Sequence, residues 1–95
     1  MRSDEPKSAD TLGLEALAWL VGNDELLPVF LGSTGASEDD LRAGATDPSF
    51  LAAVLDFVML DDAWVLGFAR DTGHAPEAVL RARRALPGGA HVEWT

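Results

Sequence analysis

Residues 47–72 form the most apolar stretch of the chain, DPSFLAAVLDFVMLDDAWVLGFARDT. Its apolar residues recur at the three- and four-residue spacing of a helix, not at the alternation of a strand. In its first half they cover more than half of a helix circumference, which is too wide for a surface helix; they are Phe50, Leu51, Val54, Leu55, Phe57 and Val58. We therefore expect a buried helical pair, broken at Asp61 and Asp62, around which the rest of the chain is organised.

Helix start and stop signals divide the whole chain into short helical segments. The starts are Ser8 or Asp10 for the first helix, Asp24 for the second, Ser37 with Glu38, Asp39 and Asp40 for the third, Asp47-Pro48 for the fourth, Asp61-Asp62 for the fifth and Ala75-Pro76-Glu77 for the sixth. The sequence therefore predicts an all-α fold, a compact bundle of about six short helices. We expect residues 1–8 to be a mobile N-terminal tail and residues 9–95 to be a single helical domain.

The first and last helices each present one apolar face to the predicted core. In the first helix these inward positions are Leu12, Ala16, Leu17, Trp19, Leu20 and Val21. In the last helix they are Val79, Leu80, Arg83 and Leu86. Arg83 is included because a long basic side chain can cover apolar surface with its stem.

Two halves of the sequence match when the chain is shifted by 38 residues, or by 39 after one insertion. Each half then reads as a long helix, a short helix ending in Phe-x-x-x-Thr-Gly, and a final helix that opens with Glu-x-x-Leu-Arg-Ala. Two interpretations remain open, a duplication and the helix punctuation that any two capped helices share. Under duplication, the two three-helix halves superimpose, the fourth helix packs on the first across a pseudo-twofold axis, and Phe57 meets Trp19 near that axis.

Composition and charge exclude several classes of protein. The absence of cysteine excludes disulfide scaffolds, thiolate zinc sites and cysteine nucleophiles. The net charge of −9, from 7 basic against 16 acidic residues, makes nucleic acid an unfavourable partner, because phosphates select basic surfaces.

No segment has the features of a membrane span or a targeting signal. The longest apolar segment, residues 48–60, is interrupted by Asp56 and falls short of the roughly 20 apolar residues that a span needs. The first ten residues lack both the apolar core of a secretory signal and the Arg-rich character of a transit peptide. We therefore expect a cytoplasmic protein without a membrane partner.

No catalytic, metal-binding or cofactor-binding constellation is present in the sequence. The acidic clusters at residues 38–40 and 61–62 lie at helix starts, where carboxylates accept from free backbone amides. His74 falls in a turn and His91 in the C-terminal tail, and neither has the second histidine of a helical zinc motif. Serine and threonine occupy cap and turn positions, outside any nucleophile or phosphate-loop pattern. The sequence therefore predicts neither an enzyme nor a cofactor.

The distribution of basic residues suggests one candidate surface. Four of the seven basic residues, Arg70, Arg81, Arg83 and Arg84, lie in the last third of the chain. A solvated helix face is the simplest interpretation, and a small cationic face for an acidic protein or a phosphorylated ligand is the functional one. The residues that we predict for an interaction surface are Leu66, Arg70, Arg81, Arg84 and Trp94.

Three segments carry a family resemblance: LEALAWL at residues 14–20, DPSFLAAVLDF at 47–57, and LPGG at 86–89 with Glu93-Trp94. They resemble a small bacterial family, mainly alphaproteobacterial, known as domain of unknown function 3572. The resemblance covers nearly all of the chain after residue 8. It implies an all-helical cytosolic protein, and it carries no activity, cofactor or catalytic residue.

The function that these observations favour is a protein-interaction or regulatory module whose partner is another protein or a second copy of the chain. The alternatives are a nucleic-acid-binding domain that uses the Arg-rich last helix and, after it, a small enzyme or ligand-binding domain. An exposed apolar patch near Leu66 or Trp94 would support the first hypothesis.

Overall fold

Six helices account for most of the described chain. The computed structural model describes the backbone of residues 5–87 and the side chains from residue 9, so the predictions for His91 and Trp94 lie outside the described residues. The helices are α1 (Glu5–Val21), α2 (Leu26–Thr34), α3 (Glu38–Gly44), α4 (Pro48–Val58), α5 (Asp62–Thr72) and α6 (Pro76–Ala85). The predicted all-α bundle is confirmed. None of the helices within this range combines the length and the apolar character needed to cross a membrane.

Side-chain caps begin three of the helices at the predicted residues. Ser37 accepts from the backbone N–H of Asp40 at 3.1 Å, and the Asp40 carboxylate accepts from the backbone N–H of Ser37 at 2.9 Å, which completes a capping box for α3. Asp47 caps α4 ahead of a proline in its first turn, and Asp61 caps α5. These local signals were correctly interpreted from the sequence.

The cap of α2 is not the predicted one. Asn23 Oδ1 accepts from the backbone N–H groups of Glu25 and Leu26, both at 3.0 Å, whereas Asp24 was expected to fill this role. The amide of Asn23 closes an Asx turn, so the carboxylate of Asp24 is not needed as a cap.

The start of α1 also differs from the prediction. The helix begins at Glu5, so Ser8 and Asp10 lie within it and do not cap it. Helix-favouring residues continue N-terminal to both predicted caps, which is why a cap signal alone placed the start too late.

The core forms where α1 crosses α4, and α1 also packs against α6. The central helix α4 buries six residues: Leu51, Ala52, Val54, Leu55, Phe57 and Val58. By contrast, α5 buries only Phe68 and Ala69, and its main packing partner is α6. The expectation of a buried α4–α5 pair was therefore wrong for α5, and the partner of α4 in the core is α1.

A glycine allows α1 and α4 to approach closely. A Cβ placed on Gly13 would lie 3.0 Å from the Cβ of Leu51, which is tighter than ordinary side-chain contact. Because glycine carries no side chain, the backbone of α1 comes directly against a core leucine of α4. The position of Gly13 plus 38 is that of Leu51, so this contact joins two positions that are equivalent in the internal repeat.

The aromatic contacts follow the same repeat. Trp19 of α1 packs edge-on against Phe68 of α5, with ring centroids 5.7 Å apart, and Phe57 of α4 packs edge-on against Phe30 of α2 at 5.2 Å. A shift of 38 residues converts the first pair into the second with the halves exchanged, which is the arrangement that a pseudo-twofold axis produces. The predicted contact between Trp19 and Phe57 was wrong, because each packs on the Phe-x-x-x-Thr-Gly segment of the opposite half.

The two Thr-Gly turns have matching geometry. Thr34 Oγ1 donates to the carbonyl of Phe30 at 2.7 Å, and Thr72 Oγ1 donates to the carbonyl of Phe68 at 2.7 Å. The glycine after each threonine adopts the left-handed conformation, with φ of 75° and 81°. These are the two helix ends at which glycine is needed for its backbone freedom.

Two apolar residues predicted to face the core are exposed. Val21 is 46% exposed at the end of α1, and Leu80 is 44% exposed on α6. Each lies at the edge of its helix's apolar stripe, where the sequence pattern cannot specify how far the neighbouring helices extend. The other inward positions of α6 are correct, because Val79 and Leu86 are buried.

A second close approach joins α3 to α4. A Cβ on Gly44 would overlap the ring of Phe50, so the end of α3 lies directly on this aromatic side chain. Phe50 also packs edge-on against Phe30, with centroids 6.0 Å apart. The ring therefore has little space in which to move away from an added methyl group.

We predict that Gly44→Ala lowers the free energy of unfolding by about 1–3 kcal/mol, because it overpacks the site of Phe50. In a Phe50→Ala background the same substitution should cost nothing, since the obstructing ring is gone. Urea unfolding of the two single variants and the double variant measures this coupling. Gly32→Ala is the matched control: its Cβ would meet no atom within 4 Å, and its stability should be unchanged or raised by up to about 1 kcal/mol. Equal costs for Gly44→Ala in both backgrounds would contradict the contact.

Candidate functional site

The residues predicted for an interaction surface lie on the outer faces of two helices. Leu66 and Arg70 are one turn apart on the exposed face of α5, and Leu66 is 55% exposed. Arg81 and Arg84 are exposed on α6. Within the described residues no hydrogen bond or ion pair joins these two pairs. Trp94, the fifth predicted residue, lies outside the described chain.

One arginine of the cluster is committed to the fold. Arg83 Nε and Nη2 donate to the two carboxylate oxygens of Asp56 at 2.6 and 3.1 Å, and Nη1 donates to the carbonyl of Pro87 at 3.3 Å. The side chain of Arg83 is only 15% exposed, as its inward position predicted. This two-pronged pair ties α6 to α4, so Arg83 belongs to the helix packing and not to a cationic surface.

A continuous apolar stripe runs along the outer face of α1. Leu14, Ala18 and Val21 are spaced by four and three residues, so they lie on one side of the helix, and all three are exposed. Leu14 is 45% exposed. We call these three residues the outer stripe. The stripe faces away from the contacts that α1 makes with α4 and α6, so α1 presents apolar residues on two sides.

The outer stripe ends in an open cleft of about 450 Å³ at the turn between α1 and α2. Its walls come from the end of α1, the turn itself and α5; the lining residues are Ala18, Trp19, Gly22, Asn23, Asp24, Glu25 and Asp71. We call this site the acidic cleft, because its three ionisable lining residues all carry carboxylates. Ala18 belongs to both features, so the stripe and the cleft are one continuous surface.

Trp19 forms the aromatic wall of the acidic cleft and is held in place from several directions. Its Nε1 donates to Asp71 Oδ2 at 2.9 Å, and its ring packs edge-on against Phe68. The ring also lies near α5 at Gly67, where an added Cβ would be 3.7 Å from Trp19 Cζ2. The indole is therefore fixed before any ligand arrives.

The carboxylates of the cleft differ in what they contact. Asp71 accepts from Trp19 through Oδ2, and its Oδ1 lies 3.7 Å from Nε of Arg70. Asp24 and Glu25 make no ion pair and no side-chain cap within the described residues, because Asn23 caps α2. Two carboxylates thus face solvent without a structural task, beyond their favourable position near the helix N-terminus.

His74 ties the turn between α5 and α6 to α1. Its Nε2 lies 2.5 Å from Glu15 Oε1, and its ring stacks on Phe68 with centroids 6.1 Å apart. The expectation of a hydrogen-bonded turn histidine is confirmed. Because Phe68 also contacts Trp19, this tie supports the wall of the acidic cleft from behind.

Sequence reasoning missed the outer stripe and the acidic cleft. A usable signal was present, since the run Ala16 to Val21 is apolar at every position and cannot be buried on one side of a helix. Val21 was instead assigned to the core, and Leu14 was assigned to neither face. The acidic side chains of the turn were interpreted as caps, which concealed the availability of Asp24.

We predict that Arg83→Ala lowers the free energy of unfolding by about 1–2 kcal/mol, because it removes a charge-assisted pair between α4 and α6. Arg83→Lys should recover only part of the loss, since an ammonium group cannot form the two-pronged contact. Arg81→Ala and Arg84→Ala are the matched controls and should change stability by less than about 0.5 kcal/mol. Urea unfolding of the four variants checks this, and equal effects at all three positions would contradict the assignment of Arg83.

Comparison with known proteins gives one match. The family model described as "Protein of unknown function (DUF3572)" matches residues 6–89, which include all of the cleft, the outer stripe and most of the described fold. No curated protein and no solved structure matches the chain. The match covers more than half of the sequence, and the chain therefore belongs to the DUF3572 family.

Proposed function

We propose that this protein is a non-catalytic interaction module that binds another protein through the outer stripe of α1. The observation that supports this proposal is the exposure of Leu14, Ala18 and Val21 on one side of a helix whose opposite side forms the core. An apolar helix face that its own fold leaves uncovered is a common form of docking surface.

The size of the outer stripe favours a modest affinity. Full burial of a leucine or valine side chain contributes roughly 1.5–3 kcal/mol, and Leu14 and Val21 are already about half buried. Each therefore has about 1 kcal/mol left to gain when a partner covers it. A partner that used the stripe alone would bind transiently, as many regulatory partners do.

The charge of the protein favours a protein partner over nucleic acid. The net charge is −9, and Arg83 is already paired with Asp56. Arg81 and Arg84 are left on an otherwise acidic molecule, which is a poor electrostatic match for a phosphate backbone. We propose that the interaction takes place in the cytoplasm, as the composition of the N-terminal residues favours.

Site-specific photo-crosslinking in cells tests this function. We predict that a photoreactive amino acid at position 14 or 21 forms a crosslink to one and the same partner protein. The control is position 43, an exposed alanine on α3 that lies outside the stripe. A probe at position 66 tests the surface that the sequence predicted on α5.

The positions that crosslink decide between the surfaces. Crosslinks at 14 and 21, with none at 43, support the proposal. A partner captured from position 66 and not from 14 or 21 would move the binding site to α5. Equal capture at all four positions would show non-specific contact and would contradict the proposal.

A further inference from the structure

We propose that the outer stripe and the acidic cleft together bind a basic amphipathic helix of another protein. Its apolar residues would cover Leu14, Ala18 and Val21, and a lysine or arginine at one end would enter the cleft beside Trp19. This inference rests on the proposed function and adds the chemical class of the partner to it.

The apolar part of the surface has helical periodicity. Leu14 and Val21 are seven residues apart, which is about 10 Å along a helix axis. A partner helix with apolar residues at positions i, i+4 and i+7 would present a stripe of the same length. The surface is uncharged over this length, because Ala18 and Gly22 continue it between Leu14 and the cleft.

The charges at the end of the stripe have one sign. Asp24, Glu25 and Asp71 line the cleft, and Asn23 performs the capping that would otherwise occupy one of these carboxylates. Three carboxylates around one open space repel each other, and a single cation among them relieves that repulsion. The cleft therefore selects a basic group over a neutral or acidic one.

Trp19 gives the cleft an additional means of holding a cation. The indole face attracts lysine and arginine head groups through its quadrupole, and tryptophan does so best among the aromatic residues. The hydrogen bond to Asp71 and the contact with Phe68 hold the ring in place, so little side-chain entropy is lost when a ligand binds.

A second copy of this chain is a poorer occupant. Two molecules that each carry a net charge of −9 repel one another. In a symmetric dimer built on this face, the acidic clefts would gain no basic residue from the stripe of the partner. The outer stripe is also short, with only three residues, and on its own it buries too little area for a stable dimer.

Arg70 is an internal competitor for the cleft. Its Nε lies 3.7 Å from Asp71 Oδ1, and its side chain is 79% exposed. An exposed ion pair of this length is weak and easily exchanged. A cation from a partner would displace Arg70, and removal of Arg70 should therefore strengthen binding.

The experiment uses the full chain and two synthetic helical peptides of about 18 residues. Both carry leucine at i, i+4 and i+7; one has lysine and arginine at one end, and the other has glutamine at the same positions. Isothermal titration calorimetry should show that the basic peptide binds and that the glutamine peptide binds at least about tenfold more weakly. Higher salt should weaken only the binding of the basic peptide.

Protein variants locate the binding. We expect Asp24→Asn with Asp71→Asn to weaken the basic peptide about tenfold, and Arg70→Ala to strengthen it about threefold. Asparagine at position 71 can still accept from Trp19 Nε1, so the wall of the cleft is retained. The matched control, Glu38→Gln with Asp39→Asn, removes the same net charge from α3 and should leave the affinity unchanged. Circular dichroism confirms that every variant is folded.

Each result supports or overturns the inference. Equal weakening by the cleft variant and the α3 control would show that net charge alone attracts the peptide, and it would overturn the site. Equal affinity for the two peptides would overturn the basic character of the partner. Sedimentation that shows a dimer lost in Leu14→Ser would assign the stripe to a second copy. If crosslinks still form at positions 14 and 21 while the basic peptide fails, the interaction function stands and only the class of partner is wrong.

Discussion

The close crossing of α1 over α4 is the contact on which the rest of the structure depends. The missing side chain of Gly13 brings the α1 backbone against Leu51, and this distance sets how the remaining helices fit around the pair. With α4 on one side and α6 on another, α1 supplies the largest share of the core contacts. The same crossing lies where the two halves of the repeat face each other, since Gly13 and Leu51 are equivalent positions.

The crossing also explains why one side of α1 stays exposed. The helices that cover α1 approach it from its core side, and α2 leaves its end through a short turn at residues 22–25. Leu14, Ala18 and Val21 lie beyond their reach, whereas the same run of sequence supplies Leu17 and Leu20 to the core. One helix thus holds the fold together with one face and offers an apolar surface with the other. The acidic turn places negative charge at the end of that surface.

The sequence predicted the parts of the fold that are determined locally. The capping box of α3, the aspartate caps of α4 and α5 and the two Thr-Gly ends depend on residues three or four positions apart. Contacts between distant segments were harder. Trp19 was paired with Phe57 because repeat positions were expected to meet their equivalents, but the repeat places each of them on the opposite half. Asp24 lost its predicted cap role because an amide one residue earlier reaches the same backbone groups. The cleft could not be predicted, because it requires Asp71 to lie beside Trp19 across 52 residues of sequence.

The central claim is that the two faces of α1 have separate tasks, one in the core and one in binding. A ¹⁵N NMR titration of the full protein with the basic amphipathic peptide tests this claim most directly. The claim predicts shifts at the amides of Leu14, Ala18 and Val21 and at the Trp19 indole N–H, with little change at Gly13 and Leu51. Shifts confined to the exposed faces of α5 and α6, around Leu66 and Arg81, would contradict it.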